Sequence, residues 1–130
     1  SDKFWPGPLT IVVKKSASIS NKLTAGQDSI AIRMPDHALA LDIINRSCKA
    51  LIETSANIFG GPDPITPRTV RDQIGDKIEM VIDGGTCPMG GASTILDMTY
   101  ERPTILRQGV LPFSDLKSVL PNIREVSGKS

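Results

Sequence analysis

Apolar residues in this chain fall into short runs separated by polar, proline and glycine-rich stretches, a pattern of strands alternating with brief helices. Leu9-Thr10-Ile11-Val12-Val13-Lys14 is rich in β-branched residues and closes on a lysine, which predicts a strand. Ser29 to Met34 alternates, placing Ile30 and Ile32 on one face and Ser29, Ala31 and Arg33 on the other. The period then changes. Behind Pro35-Asp36, positions Ala40, Ile43, Ile44 and Ser47 recur at helical spacing, so His37 to Ser47 is predicted as a helix. Ala50-Leu51-Ile52-Glu53 forms a short apolar run expected to be an interior strand. Thr66-Pro67-Arg68 opens a second helix, with threonine as N-cap and proline in the first turn. Val70 and Ile74 point inward and Gly75 stops it. Met80-Val81-Ile82 is expected to be a buried strand, as are Ser93 to Met98 and Thr104 to Gly109. Ser114-Asp115-Leu116 starts a C-terminal helix that runs to Leu120 and is followed by a polar tail.

The order strand, strand, helix, strand, helix, three strands, helix implies an α/β fold. Its sheet should be mixed, because consecutive strands without an intervening helix pair antiparallel. A length of 130 residues with 39% hydrophobic content supports one core and is too short for two ordinary domains. Fifteen basic side chains against fourteen acidic ones give a formal net charge of +1, which demands neither nucleic acid nor membrane. Cys48 and Cys87 stand far apart and His37 is the single histidine, which argues against a zinc site and for a reducing cytosol. No apolar run approaches bilayer length, so no membrane partner is expected. At the start, Phe4-Trp5-Pro6-Gly7-Pro8 puts a tryptophan on a turn with no preceding element to pack it, and no start methionine is present. Both features lead to the expectation that the chain is a piece of something longer.

Candidate chemistry concentrates where predicted strands end. From Glu53 to Pro62 the chain leaves an apolar run for a polar, glycine-relaxed turn carrying Thr54, Ser55, Asn57, Gly60 and Gly61. Taken alone, that is a plain strand-to-loop turn. Ser29 and Ser93-Thr94 add hydroxyls at other strand ends, and Arg33 and Arg107 lie on strands instead of loops. Hydroxyls and guanidinium groups converging on one cleft suit a phosphate or carboxylate, since a guanidinium grips two oxygens at once. The competing picture, with both arginines facing solvent from edge strands, stays open on these residues alone. No Gly-x-x-x-x-Gly-Lys-Ser/Thr loop is present, and no Gly-x-Ser-x-Gly elbow offers a serine to His37, which sits in a first helical turn as a solvated or capping group. Asp63, Asp83 and Asp97 have no metal-ligand spacing.

Five segments occur together in one order: Phe4 to Thr10, Ala31-Ile32-Arg33-Met34-Pro35-Asp36-His37, Thr54-Ser55-Ala56-Asn57, Ser93 to Asp97, and Leu106-Arg107-Gln108-Gly109. In order and spacing they resemble the YrdC-type threonylcarbamoyl-AMP synthases, from Phe4 to Val110. The resemblance implies a twisted YrdC-like mixed sheet with flanking helices, residues 1–112 forming the C-terminal portion of that domain and 113–130 a helix and tail. It implies an enzyme that joins L-threonine and bicarbonate or CO2 to the AMP of ATP with release of pyrophosphate, assisted by Mg2+. The product passes to the cytoplasmic tRNA threonylcarbamoyl transferase machinery. By the same resemblance, Ser55 and Asn57 are the catalytic second half of a lysine-arginine-serine-asparagine signature. Ser29, Ser55, Asp63 and Arg107 correspond to ATP contacts, and Arg33, Glu53 and Ser93 to threonine contacts.

Three positions depart from the family: Phe59-Gly60 where serine-glycine is usual, Asp63 where serine is common, and Ala92 where glutamate is common. A carboxylate at Asp63 would repel phosphate without a metal between them. The family's N-terminal segment, with the lysine and arginine of the signature, has no counterpart here, so an N-terminally truncated domain inactive by itself is expected. Two other functions compete. One is a YrdC-like module binding tRNA or double-stranded RNA through Lys14, Lys15, Arg68 and Arg71, although no aromatic stacking platform accompanies them. The other is a carbamoyl-adenylate domain of a different pathway.

Overall fold

Strand β1 (Leu9–Lys14) has a neighbour on each side, and the sheet is built outward from it. Antiparallel β2 (Ser29–Arg33) lies along one edge of β1, and parallel β3 (Thr94–Asp97) along the other. Next come antiparallel β4 (Thr104–Arg107) and parallel β5 (Arg124–Glu125), giving the order β2-β1-β3-β4-β5. Three α-helices lie among the described residues: α1 (Ala38–Arg46), α2 (Pro67–Ile74) and α3 (Phe113–Val119). A five-stranded mixed sheet with helices is thus the architecture, as the element order predicts. This is a computed structural model, and it describes residues 2–87 and 91–125. The chain divides into two compact units, Ser1–His37 with Ser93–Ser130, and Ala38–Ala92.

The first unit contains the sheet and α3. Its core is Leu9, Leu96, Ile105, Leu111, Leu116 and Ile123, all buried. Strand register explains the choice: Leu96 lies opposite Ile11 on β1 and Ile105 on β4, so the alternate residues of three strands share one apolar face. Phe4, Trp5, Ile11, Phe113 and Leu120 pack around that core. Trp5, which lacks a preceding element in the sequence, therefore packs against the sheet and α3, and its indole Nε1 donates to Leu9 O at 2.7 Å. Thr94 is fully buried among these apolar groups because its hydroxyl is satisfied twice, donating to Leu111 O at 2.8 Å and accepting from Gly109 N at 2.9 Å. β5 carries only two polar, exposed residues and has no pattern a sequence could announce. Its Arg124 N bonds Pro103 O at 2.8 Å.

The second unit holds α1, α2 and a 3-10 turn at Gly75–Lys77. The start of α2 is as predicted. Thr66 Oγ1 accepts from Thr69 N, Thr69 Oγ1 accepts from Thr66 N, both at 3.2 Å, and Pro67 fills the first turn. Gly75 does not end it in the left-handed manner: its φ of −57° is helical, and the chain tightens into the 3-10 turn. The two strands expected in this unit do not form. Residues 50–53 and 80–82 lie outside any strand, and Leu51, Ile52, Met80 and Ile82 are exposed. A strand exists only where a neighbour takes its N–H and C=O groups, and the five strands among the described residues all belong to the other unit.

Candidate functional site

On the sheet, Thr10 pairs with Arg33 across β1 and β2 and with Ile95 across β1 and β3, and Ile95 pairs with Arg107 on β4. These four residues therefore share the face opposite Leu9, Ile11 and Leu96. Ser93, two residues before Ile95, lies on the same side. A β-bulge at Ile95/Leu96 leaves Leu106 as the extra residue of β4 and sets Arg107 across from Ile95. From there the Arg107 guanidinium closes on Ser93. Nε and Nη2 donate to Ser93 O at 3.2 and 2.9 Å, and Nη2 reaches Ser93 Oγ at 3.3 Å. Ser93 Oγ in turn lies 2.8 Å from Thr10 Oγ1.

Arg33 is exposed on edge strand β2 and anchored by Nε to Gly7 O at 3.0 Å, while Gly7 N donates to Met34 O at 2.9 Å. The proline-glycine turn before β1 thus fixes the stem of Arg33. Of the two arginines, only Arg33 lies on an edge strand. Arg107 stands on an interior one. Ser29 shares their face but lies at the other end of β2, opposite Lys14. That is about 13 Å from Arg33 at the usual rise of a strand.

In the second unit, Glu53, Ser55 and Asp63 are exposed on irregular segments, and Asn57 is half-buried. Asn57 Nδ2 donates to Ile58 O and Gly61 O, both at 3.1 Å. Two carbonyl partners fix the amide's orientation, because only the NH2 end can face them. Asn57 Oδ1 is consequently buried without a partner. The remaining capacity of Asn57 is that of an acceptor, suited to an ammonium, an N–H or a cation and not to a bare phosphate oxygen. Gln73 of α2 braces the same loop, Oε1 accepting from Ile58 N at 3.2 Å and Nε2 donating to Pro62 O at 3.1 Å. Gly61 has no room for a side chain: a Cβ would come within 2.7 Å of both Gln73 Oε1 and Ile58 Cγ1. Its N–H bonds Ile58 O at 2.9 Å, so this glycine serves the packing of the loop and offers no free amide to a ligand.

The family profile named Sua5, YciO and YrdC, described as telomere recombination, matches residues 1–109. This chain belongs to that family. The threonylcarbamoyl-AMP synthase of Pyrococcus abyssi is 42% identical over 131 residues, which cover 98% of this chain and 38% of the relative. The Bacillus subtilis threonylcarbamoyl-AMP synthase is 36% identical over 129 residues, covering 98% of this chain and 37% of that protein. This chain thus spans less than two-fifths of the length of these relatives. The crystal structure of P. abyssi Sua5 complexed with L-threonine superposes with a TM-score of 0.91 at 41% identity, over 96% of this chain and 37% of that one. Escherichia coli YciO, at 22% identity, shares the fold with a TM-score of 0.71 over 81% of this chain.

Within this member of the Sua5/YrdC family, one sheet face carries Ser93, Arg107 and Arg33, three of the residues singled out by sequence, with Ser93 and Arg107 in contact and Arg33 two strands away on β2. Ser29 stands apart from them on the same face. Glu53, Ser55, Asn57 and Asp63 belong to the other unit. Two residues of these sites were not anticipated. Thr10 passes in the sequence for an ordinary β-former, although alternation against Leu9 and Ile11 assigns it to the polar face. Gln73 gives no local signal, because its partners lie eleven to fifteen residues away in the chain.

Proposed function

We propose that this chain carries threonine- and nucleotide-binding elements of a threonylcarbamoyl-AMP synthase acting in tRNA modification. In that reaction the amine of L-threonine and bicarbonate or CO2 form a carbamate. A carbamate oxygen then attacks the α-phosphorus of ATP, and the bond to pyrophosphate breaks. The observation that carries the reading is the arrangement of Arg33, Thr10, Ser93 and Arg107 along one sheet face. Two guanidinium groups, which only donate, and two hydroxyls, which can donate, suit carboxylate and phosphate oxygens.

By the family resemblance, Arg33, Glu53 and Ser93 are assigned to threonine, Arg33 and Ser93 to its carboxylate, and Arg107, Ser29 and Ser55 are assigned to the phosphates of ATP. Asn57, with its acceptor unpartnered, faces a donor or a cation, and Asp63 tolerates ATP only through a metal. Catalysis by such a set is positioning and charge stabilisation. Among the described residues no group of three histidine, cysteine, aspartate or glutamate side chains could hold a metal ion. Magnesium would accompany ATP as the counter-ion of the triphosphate, and no step is assigned to it. The product goes to the transferase that modifies tRNA. Free, exposed Cys48 and Cys87 suit the reducing cytoplasm, and no helix among the described residues is long and apolar enough to cross a membrane.

Titration of the isotope-labelled chain with L-threonine tests the reading. Saturable amide shifts at Arg33, Ser93 and Arg107 are expected with L-threonine and not with its D-enantiomer. Unchanged spectra at millimolar L-threonine would sink the proposal.

A further inference from the structure

We infer that Thr10 is a positioning residue of the threonine subsite, holding Ser93 so that their hydroxyl pair presents one O–H to an acceptor oxygen of the bound amino acid. The inference rests on the reading that Ser93 and Arg33 contact threonine. It begins from a count of hydrogens. Thr10 and Ser93 are 8% and 7% exposed, and their hydroxyl oxygens lie 2.8 Å apart. Two protons are available, and the bond between the oxygens takes one. Arg107 cannot take the other, because a guanidinium has donors and no acceptor. Its Nη2 instead donates toward Ser93 Oγ at 3.3 Å, filling one of that oxygen's lone pairs.

Whichever hydroxyl donates in the inner bond, one proton remains without a protein acceptor among the described residues. If Thr10 donates, the spare proton is on Ser93. If Ser93 donates, polarised by the guanidinium, the spare proton is on Thr10. A carboxylate oxygen accepts from either, whereas an ammonium group cannot. Register adds the second element. Arg33 lies directly opposite Thr10, where antiparallel partners bring their Cβ atoms to about 5 Å, so a positive charge and the spare O–H favour the same anionic end of a ligand. The β-branched Thr10 has few χ1 choices within a strand. Ser93 has no such restriction and takes its direction from Thr10 on one side and Arg107 on the other.

Replacing Thr10 by valine keeps shape and branching and removes the hydroxyl. Thr10→Val is expected to weaken L-threonine binding about tenfold, the effect of losing one hydrogen bond in a charged site. The unfolding temperature should not fall. Thr10→Ser should bind within about twofold of the parent, since the hydroxyl is what matters. Three-bond couplings should report one Ser93 χ1 rotamer in the parent and in Thr10→Ser, and rotamer averaging in Thr10→Val. If Thr10→Val does not fold, Thr10→Ala against Thr10→Ser carries the same comparison. Parental threonine affinity in the folded hydroxyl-free variant would overturn the role of Thr10 and leave the function reading standing. A parent chain that binds no L-threonine would overturn both.

Discussion

The two units of this chain use similar apolar residues to different ends. Met80-Val81-Ile82 in one is as hydrophobic as Thr94-Ile95-Leu96 in the other. Yet Met80 is 74% exposed and Leu96 is 2% exposed. The difference lies in the partners available to the backbone. Leu96 stands on a strand with ladders on both sides, so its side chain is held over a shared face with Ile11 and Ile105. Met80 and Ile82 stand on segments without a ladder. Every buried apolar side chain among the described residues belongs to the unit containing the sheet, and none to Ala38–Ala92. Hydrophobicity supplies the drive to bury, but paired backbone decides where burial occurs.

The largest expected effect separates the units directly. Leu116 is 0% exposed, and Leu116→Ala should cost about 2–5 kcal/mol. Ile52 is 79% exposed, and Ile52→Ala should change stability by no more than about 0.5 kcal/mol. Urea unfolding followed by the fluorescence of Trp5, which packs on the core containing Leu116, measures the first, and amide exchange along α2, in the unit that holds Ile52, measures the second. Equal losses would mean that Ile52 is buried in the unit as it exists in solution.

The same contrast governs what could be read from the sequence. Features set by neighbouring residues were legible: the alternation that puts Ile30 and Ile32 opposite Arg33, and the Thr66-Pro67 helix start. Strands 50–53 and 80–82 were misjudged because an apolar run of that length does not reveal whether a partner exists. In the site, strand positions for Arg33 and Arg107 followed from local pattern. Their meeting with Thr10 and Ser93 did not. Thr10 and Ser93 are 83 residues apart, and a bulge sets the register of Arg107. The acceptor role left to Asn57 was equally hidden, because it depends on where the carbonyls of Ile58 and Gly61 turn.

A second prediction sharpens the contrast at the level of the site. Arg107→Lys keeps the charge but loses the fork that grips Ser93 O through Nε and Nη2. L-Threonine binding should weaken about 10- to 100-fold, the range for lost hydrogen bonds to a charged group. Ser55→Ala, on an exposed segment of the other unit, should leave threonine binding unchanged and affect the nucleotide alone. Calorimetric titration with each ligand distinguishes them. A loss of threonine affinity in Ser55→Ala would add Ser55 to the threonine contacts and end its assignment to the nucleotide alone.

The loop at Asn57 should respond less, and locally. Gly60 has a φ of +76°, which an alanine adopts at a cost of about 1–2 kcal/mol. Gly60→Ala should accelerate hydrogen exchange at Gly61 N, which bonds Ile58 O, without changing exchange in β1 or β3. Faster exchange in those strands would show that the sheet depends on this loop.

The smallest effect tests what holds the second unit in place of a core. On α1, Arg46 Nε reaches both oxygens of Asp42 at 2.8 and 2.9 Å, a short contact at helical spacing. Geometry alone would make this pair a strong stabiliser. Exposure decides against it: the side chains are 79% and 52% exposed, and water and salt screen the attraction while ordering two flexible side chains opposes it. A double-mutant cycle over Asp42→Asn and Arg46→Gln should therefore return a coupling of about 0.3–0.5 kcal/mol, fading in molar salt. A coupling several times larger would mean that surface pairs along its helices do for Ala38–Ala92 what Leu96 and Leu116 do for the sheet, and the contrast between the units would become one of mechanism instead of degree.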